Sequence, residues 1–195
     1  MENSTKTRLV LGVTGGVAAF KAISISNLFL KLGYNVQVVM TGAAKRFISE
    51  QEFVATRNPV LSSIYVNGEV PHIDLAQWCE VLLIAPATAN TIGKIANGIA
   101  DNLLTAMAMA TPTDCIRVIC PAMNNVMYHS SPMIRNRRLL RDDGWYEIEP
   151  RTGQMACGTE GKGALADTKD IAEKVHKFVT TLNPAVWFGS AENLK

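Results

Sequence analysis

The 195-residue sequence contains no apolar run approaching the roughly 20 residues that a bilayer span requires. Its first residues, Met1 to Thr7, are polar and lack the hydrophobic stretch of a secretory signal. Neither charge is in excess. Lysines and arginines number 19 against 17 aspartates and glutamates, and a net charge of +2 provides no field to attract nucleic acid or an anionic membrane. The four cysteines, Cys79, Cys115, Cys120 and Cys157, form no Cys-x-x-Cys pair and no metal-finger spacing, so no metal site is expected. There is no internal repeat and no low-complexity segment. These absences set aside membrane, secreted, disulfide-framed and nucleic-acid-binding classes. A cytoplasmic protein with reduced thiols is the expectation.

What is present describes a folded enzyme-sized domain. A hydrophobic fraction of 48% with 18% charged residues suits a compact core rather than a disordered chain. One domain over residues 1–182 is expected, followed by a tail at 183–195 that carries no readable signal.

The apolar segments are short and continuous, as in parallel strands covered on both faces. Leu9 to Val13 is one such strand, ending in Thr14-Gly15-Gly16-Val17 before a helix that Gly33 stops near Leu32. A strand, a glycine turn and a helix start form an anion site, because unpaired N–H groups point at the turn. A plain turn that binds nothing is the alternative. The dinucleotide pattern Gly-x-Gly-x-x-Gly is missing, and the second strand, Asn35 to Met40, closes on Thr41-Gly42 rather than on an acid. A hydroxyl there suits a phosphate or a ribityl chain better than the ribose diol of NAD, which favours a mononucleotide. Between Thr41 and Val70 the sequence is less regular, with a weak strand near Ser63 to Val66. Pro71 opens a helix with His72 in its first turn, either an inert surface histidine or a proton acceptor.

Val81 to Ala85 is the most apolar strand and runs into Pro86-Ala87-Thr88-Ala89-Asn90-Thr91, a second strand-to-helix junction of small hydroxyl and amide side chains. The Met–Ala alternation from Ala106 to Ala110 reads as helix packing. A third junction follows the strand Ile116 to Cys120. Pro121 has no N–H to continue a ladder, so the chain is expected to leave the sheet there. Met123, Asn124 and Met127 then place two soft apolar side chains and one neutral amide beyond the carboxyl end of a central strand, where open α/β sheets bind ligands. A capped turn with two core methionines is the bland alternative. Three such junctions on one sheet edge would make a single site.

A helix from Pro132 to Asp142 carries Arg135, Arg137, Arg138 and Arg141, read as a solvated face. A short strand follows at Trp145 to Ile148. From Arg151 to Ala164 four glycines surround Met155-Ala156-Cys157, which reads as a mobile loop able to close over a pocket. Asp167 caps a last helix reaching about Leu182.

With Thr14-Gly15-Gly16-Val17-Ala18, His72, Pro86 to Thr91, Pro121-x-Met123-Asn124-x-x-Met127 and Ala156-Cys157-Gly158 in one order, the chain resembles the flavin-dependent cysteine decarboxylases over roughly Arg8 to Val179. The resemblance implies a single-domain, three-layer Rossmann-like parallel α/β sheet of the flavodoxin-like flavoprotein type. It implies FMN held at subunit interfaces of a homotrimer, with trimers often gathered into dodecamers. Thr14, Gly15, Gly16, Val17, Thr41, Thr88, Ala89, Asn90, Thr91 and Ala122 would hold FMN. Asn124 would bind the substrate carboxylate, while Met127, Met155 and Ala156 would line the pocket. His72 and Cys157 would be catalytic.

The implied substrate is 4'-phosphopantothenoylcysteine of coenzyme A synthesis, converted to 4'-phosphopantetheine and carbon dioxide. Oxidation at the carbon bearing sulfur gives a thioaldehyde, an electron sink beta to the carboxylate. After carbon dioxide leaves, Cys157 would protonate the enethiolate as the electrons return. Because nothing follows the last helix, the chain is expected to be a decarboxylase without a fused synthetase domain. One departure is Thr159 to Ala164, where many relatives end the loop with Gly-Arg-Met. A peptidyl-cysteine decarboxylase of lantibiotic type shares the same elements. A regulatory flavoprotein subunit of a phosphatase is the non-enzymatic alternative, although the long acidic extensions usual there are missing.

Overall fold

The computed structural model describes residues 6–65, 68–154, 158 and 160–182. The predicted tail at 183–195 lies outside the described residues. Five strands form one sheet: β1 (Arg8–Val13), β2 (Asn35–Met40), β3 (Val81–Ala87), β4 (Ile116–Pro121) and β5 (Tyr146–Glu147). All pairings are parallel and the order is β2-β1-β3-β4-β5, so the expected parallel α/β sheet is present. In this order the chain moves outward from β1 to β2, then crosses back to build β3, β4 and β5 on the other side. The crevice between the carboxyl ends of β1 and β3 is therefore the topological switch point.

Alternation along the strands divides the core into two layers. Leu9, Leu11 and Val13 face α1 (Lys21–Lys31) and α7 (Thr168–Leu182), where Ile25, Phe29, Ile171 and Val175 are fully buried. Val10, Leu82 and Ile84 face α2 (His72–Trp78), α3 (Ala89–Ala96), α4 (Leu103–Ala110) and α6 (Ser131–Asp142), burying Leu75, Ile92, Leu104 and Met133. Burial on both sides explains why these strands read as unbroken apolar runs. Cys79, Cys115 and Cys120 are buried free thiols that act as small core residues. Burial, with the charge of Glu147, pushes the Cys120 thiol far above its ordinary pKa.

Several predicted segments differ. β4 continues through Pro121, which pairs with Ala87, and the Ala122 N–H still donates to the Ala87 carbonyl at 3.0 Å. Proline removes one donor but keeps its acceptor and its extended φ, so the chain leaves the sheet one residue later than expected. The weak strand near Ser63 to Val66 does not form over its described residues, Ser63 to Tyr65. Leu61 instead makes one isolated bridge to β2, accepting from Met40 N–H at 2.8 Å and donating to Val38 at 3.0 Å. The first helix begins with a 3₁₀ turn, Val17–Phe20, and the stretch after β2 adds 3₁₀ turns at Ala44–Arg46 and Glu50–Thr56.

The glycine-rich segment is the largest correction. It is not an open loop at its base but an antiparallel pair, β6 (Arg151–Gln154) and β7 (Glu160–Ala164). Met155, Ala156, Cys157 and Thr159, between the two strands, lie outside the described residues. The cap by Asp167 is as expected, its Oδ1 accepting from the Lys169 N–H at 2.9 Å.

Candidate functional site

The carboxyl ends of β1, β2, β3 and β4 open on one cavity of about 770 Å³, within the range of small-molecule sites. Of the residues predicted to hold a cofactor, Gly15, Gly16, Val17 and Thr41 line it from the first two junctions. Thr88, Ala89, Asn90 and Thr91 line it from the junction after β3, and Ala122 from the junction after β4. Asn124 and Met127 complete the wall beside Ala122. The structure thus brings together eleven residues that lie as far apart as positions 15 and 127.

Two predicted residues stand apart. Thr14 does not line the cavity, because it is wholly buried. Its hydroxyl donates to the Pro86 carbonyl at 2.7 Å and accepts from the Thr88 N–H at 2.9 Å. Thr14 therefore fastens the junction after β1 to the junction after β3 instead of touching a ligand. His72, the first residue of α2, also lies off the cavity wall, and its Nδ1 is buried with no hydrogen-bond partner among the described residues. Met155, Ala156 and Cys157 are outside the described residues.

The glycines do separate jobs. A Cβ on Gly15 would stand 2.5 Å from the Ala43 Cβ and 2.8 Å from its carbonyl oxygen, so only glycine lets the first two junctions touch. At Gly16 the nearest atom to such a Cβ is the Thr88 methyl at 3.5 Å, and at Gly42 nothing stands within 4 Å. Those two leave backbone open toward the cavity. Neutral hydroxyls stand at the same junctions. Thr41 accepts from the Ala44 N–H at 3.3 Å, and the Thr88 hydroxyl donates to Thr91 at 3.3 Å. Hydroxyls and open backbone N–H groups beside the start of α3 match the ribityl hydroxyls and phosphate of a flavin mononucleotide. The apolar Val17, Ala122 and Met123 on the same wall match its ring.

At the far end, Asn124 caps the short helix α5 (Asn125–Tyr128), its Oδ1 accepting from the Val126 N–H at 2.7 Å. The NH₂ group of the same amide is a hydrogen-bond donor. Met127 is half exposed beside it. The hairpin is keyed into this turn. Met123 N–H donates to the Gly163 carbonyl at 3.0 Å and Lys162 N–H to the Asn125 Oδ1 at 3.1 Å. A Cβ on Gly163 would lie 2.2 Å from the Met123 carbonyl oxygen, and one on Gly161 2.7 Å from the Asn125 amide carbon.

Behind the turn, Tyr128 donates to Glu147 at 3.0 Å, and Arg137 grips both oxygens of Glu147 at 2.9 Å from Nε. The Arg137 guanidinium also sits 4.1 Å from the Tyr128 ring centroid. Burial, then the Glu147 charge, holds the Tyr128 hydroxyl well above its ordinary pKa, so it stays a donor. The predicted solvated arginine face is thus wrong for Arg137, which is part of the support for Asn124.

Sequence reading missed two cations. Lys21 and Arg151 both line the cavity, and burial followed by the charge of Arg151 lowers the Lys21 pKa, with Asp167 opposing. The available signal was position: one cation follows the glycine turn and the other opens the glycine-rich segment. Lys94 is also on the wall but is paired with Asp101.

Comparison with known proteins agrees with this geometry. A family model described as Flavoprotein matches residues 1–180. A probable phosphopantothenoylcysteine decarboxylase from Streptococcus mutans is 40% identical over 174 residues, covering 87% of this chain and 97% of the relative. A coenzyme A biosynthesis bifunctional protein from Bacillus subtilis is also 40% identical, but there the chain spans only 42% of the relative's length. Among solved structures, a cysteine-to-serine mutant of a PPC decarboxylase complexed with pantothenoylaminoethenethiol aligns with TM-score 0.81 at 32% identity, covering 90% of this chain and all of that one. The FMN-binding protein AtHal3 aligns at TM-score 0.77 and 33% identity, covering 89% and 96%.

Proposed function

Because the chain belongs to the flavoprotein family, we propose that it is an FMN-dependent carboxy-lyase of coenzyme A synthesis, releasing carbon dioxide from 4'-phosphopantothenoylcysteine to leave 4'-phosphopantetheine. The observation that carries this reading is the meeting of the Gly15–Val17, Thr88–Thr91 and Ala122–Met127 segments on one cavity. The likeness to decarboxylases over nearly the whole chain supports it.

Thr41, Thr88 and Thr91, with the backbone of Gly15, Gly16, Ala89 and Asn90, would hold FMN, and Ala122 would lie beside its ring. Bound FMN supplies a reversible two-electron acceptor, so the carbon bearing sulfur can be oxidised and later reduced with no net redox change. Asn124 would donate its amide N–H to the substrate carboxylate. A neutral donor fits because a fixed cation would stabilise the charged ground state, which must lose that charge as carbon dioxide departs. Met127, with Met155 and Ala156, would surround the cysteinyl carbon with apolar atoms. Cys157 would give a proton to the enethiolate carbon.

His72 would accept a proton in the oxidation step from a neighbouring copy of the chain, since it lies off the wall of its own cavity. A homotrimer, gathered further into a dodecamer, is the assembly proposed. Exposed Val17, Phe20 and Met127 on the cavity wall support such a cover. A cytoplasmic location and one FMN-binding domain over residues 1–182 complete the reading.

The test is direct. The purified protein should be yellow and release FMN. With 4'-phosphopantothenoylcysteine it should yield carbon dioxide and 4'-phosphopantetheine by mass spectrometry. Preferential turnover of a peptide ending in cysteine would move the substrate to the peptidyl class. A protein that cannot be loaded with FMN would overturn the reading.

A further inference from the structure

We propose that Lys21 and Arg151 form a subsite for a phosphate monoester dianion, the one the substrate carries at the end remote from its cysteinyl carboxylate. The inference rests on the decarboxylase reading above. Both side chains line the cavity, although one starts α1 and the other starts β6, 130 positions later by the difference of their numbers. Neither takes part in an ion pair among the described residues, whereas Lys94 on the same wall is neutralised by Asp101. The Arg151 guanidinium has a seat: its Nη1 lies 3.4 Å from where a Cβ would stand on Gly153, so the missing side chain lets it lie along the hairpin.

Two cations that repel one another, neither in an ion pair among the described residues, are a cost to the fold that a bound anion would lower. The Lys21 pKa is lowered by burial first and by that repulsion second. Asp167 acts in the opposite direction, but its Oδ1 already serves the helix cap at Lys169. A fork-shaped guanidinium beside an ammonium is the donor set that suits a terminal phosphate.

Two phosphates could claim this pair, that of the cofactor and that of the substrate. The hydroxyl and backbone groups of the first three junctions already match the cofactor. Arg151 instead belongs to the hairpin, whose β7 strand is bonded to Met123 and Asn125 on either side of Asn124. That places it on the substrate's side of the cavity.

The experiment compares kcat/KM for 4'-phosphopantothenoylcysteine with that for the unphosphorylated pantothenoylcysteine, in the FMN-loaded protein and in its Arg151→Met and Lys21→Gln variants. FMN and riboflavin affinities are measured in parallel by visible absorption. Each variant is expected to lower the phosphate preference on the order of tenfold, with the preference for FMN over riboflavin retained. An unchanged substrate preference overturns the subsite. So does loss of the FMN-over-riboflavin preference with the substrate ratio intact, which would assign the pair to the cofactor's phosphate. Failure of the unaltered protein to decarboxylate either compound overturns the decarboxylase reading and the subsite with it.

Discussion

Asn124 serves the fold and the site with one amide. Its oxygen is spent on the Val126 N–H, as a helix cap requires. Its position beside Ala122 and Met127 on the cavity wall is what makes its other end useful. Asn124→Asp keeps an acceptor for Val126 and so keeps the turn, but sets a negative charge against the substrate carboxylate. The expected result is at least a tenfold rise in KM, with FMN content unchanged. Titration of the variant with substrate checks it, and unchanged affinity would remove Asn124 from the carboxylate site. At this scale the sequence was informative about which residues converge and less so about how. Thr14 shows why. A hydroxyl beside a glycine turn reads as a ligand contact, and only the fold reveals that Pro86 and Thr88 have taken both its functions. Arg137 shows the reverse case. Its helical spacing matched that of solvated arginines, and its partner Glu147 lies on a strand that the spacing could not place beside it.

Among the elements, the hairpin departs furthest from its sequence. Glycine disfavours strands and suggested a loop, yet Gly161 and Gly163 are there because β7 passes against the backbone of the Asn124 turn. Tertiary contact overrides propensity, and no local pattern could announce it. The strands β1 to β4 were legible for the opposite reason: burial on both faces writes an apolar run directly into the chain. Gly163→Ala must displace the Met123 carbonyl or the hairpin, a cost of about 1–3 kcal/mol for overpacking. Denaturant unfolding should register that loss, accompanied by a fall in kcat/KM, and a variant with native stability would contradict the close approach. The hairpin should also respond to acid. Hydrogen bonding to Lys162 holds the Glu149 carboxyl below its usual range. A depressed folded pKa gives stabilisation that is complete above the unfolded value of 4.5 and lost as pH falls through the folded value. Amide exchange in β7 should therefore quicken below pH 4.5 relative to the core strands, and Glu149→Gln should abolish that difference.

The whole molecule is organised by its strand order. With β1 between β2 and β3, the chain reversing direction after β2 and all strands parallel, the carboxyl ends of β1 to β4 and the junctions that follow them fall on one edge. The alternation of strand and helix signals was enough to foresee that edge. It did not foresee that His72, on α2, would stand off the wall that the other residues share. In the proposed trimer, with His72 acting on a neighbour's cavity and Cys157 on its own chain's, the two residues of one chain would serve different cavities. A His72→Asn variant and a Cys157→Ser variant, each inactive alone, should then regain part of the activity when co-expressed as mixed assemblies. No recovery in verified mixed trimers would place both residues in one chain's cavity.

The fastening of Thr14 to Pro86 and Thr88 bears on how the protein meets its cofactor. The two segments bordering the switch point are bolted together by bonds within the chain itself, so the crevice has its shape before any guest arrives. Loading then involves little rearrangement. Its speed should follow diffusion and desolvation rather than a slow conformational gate, and apoprotein freshly stripped of flavin should refill in a single kinetic phase.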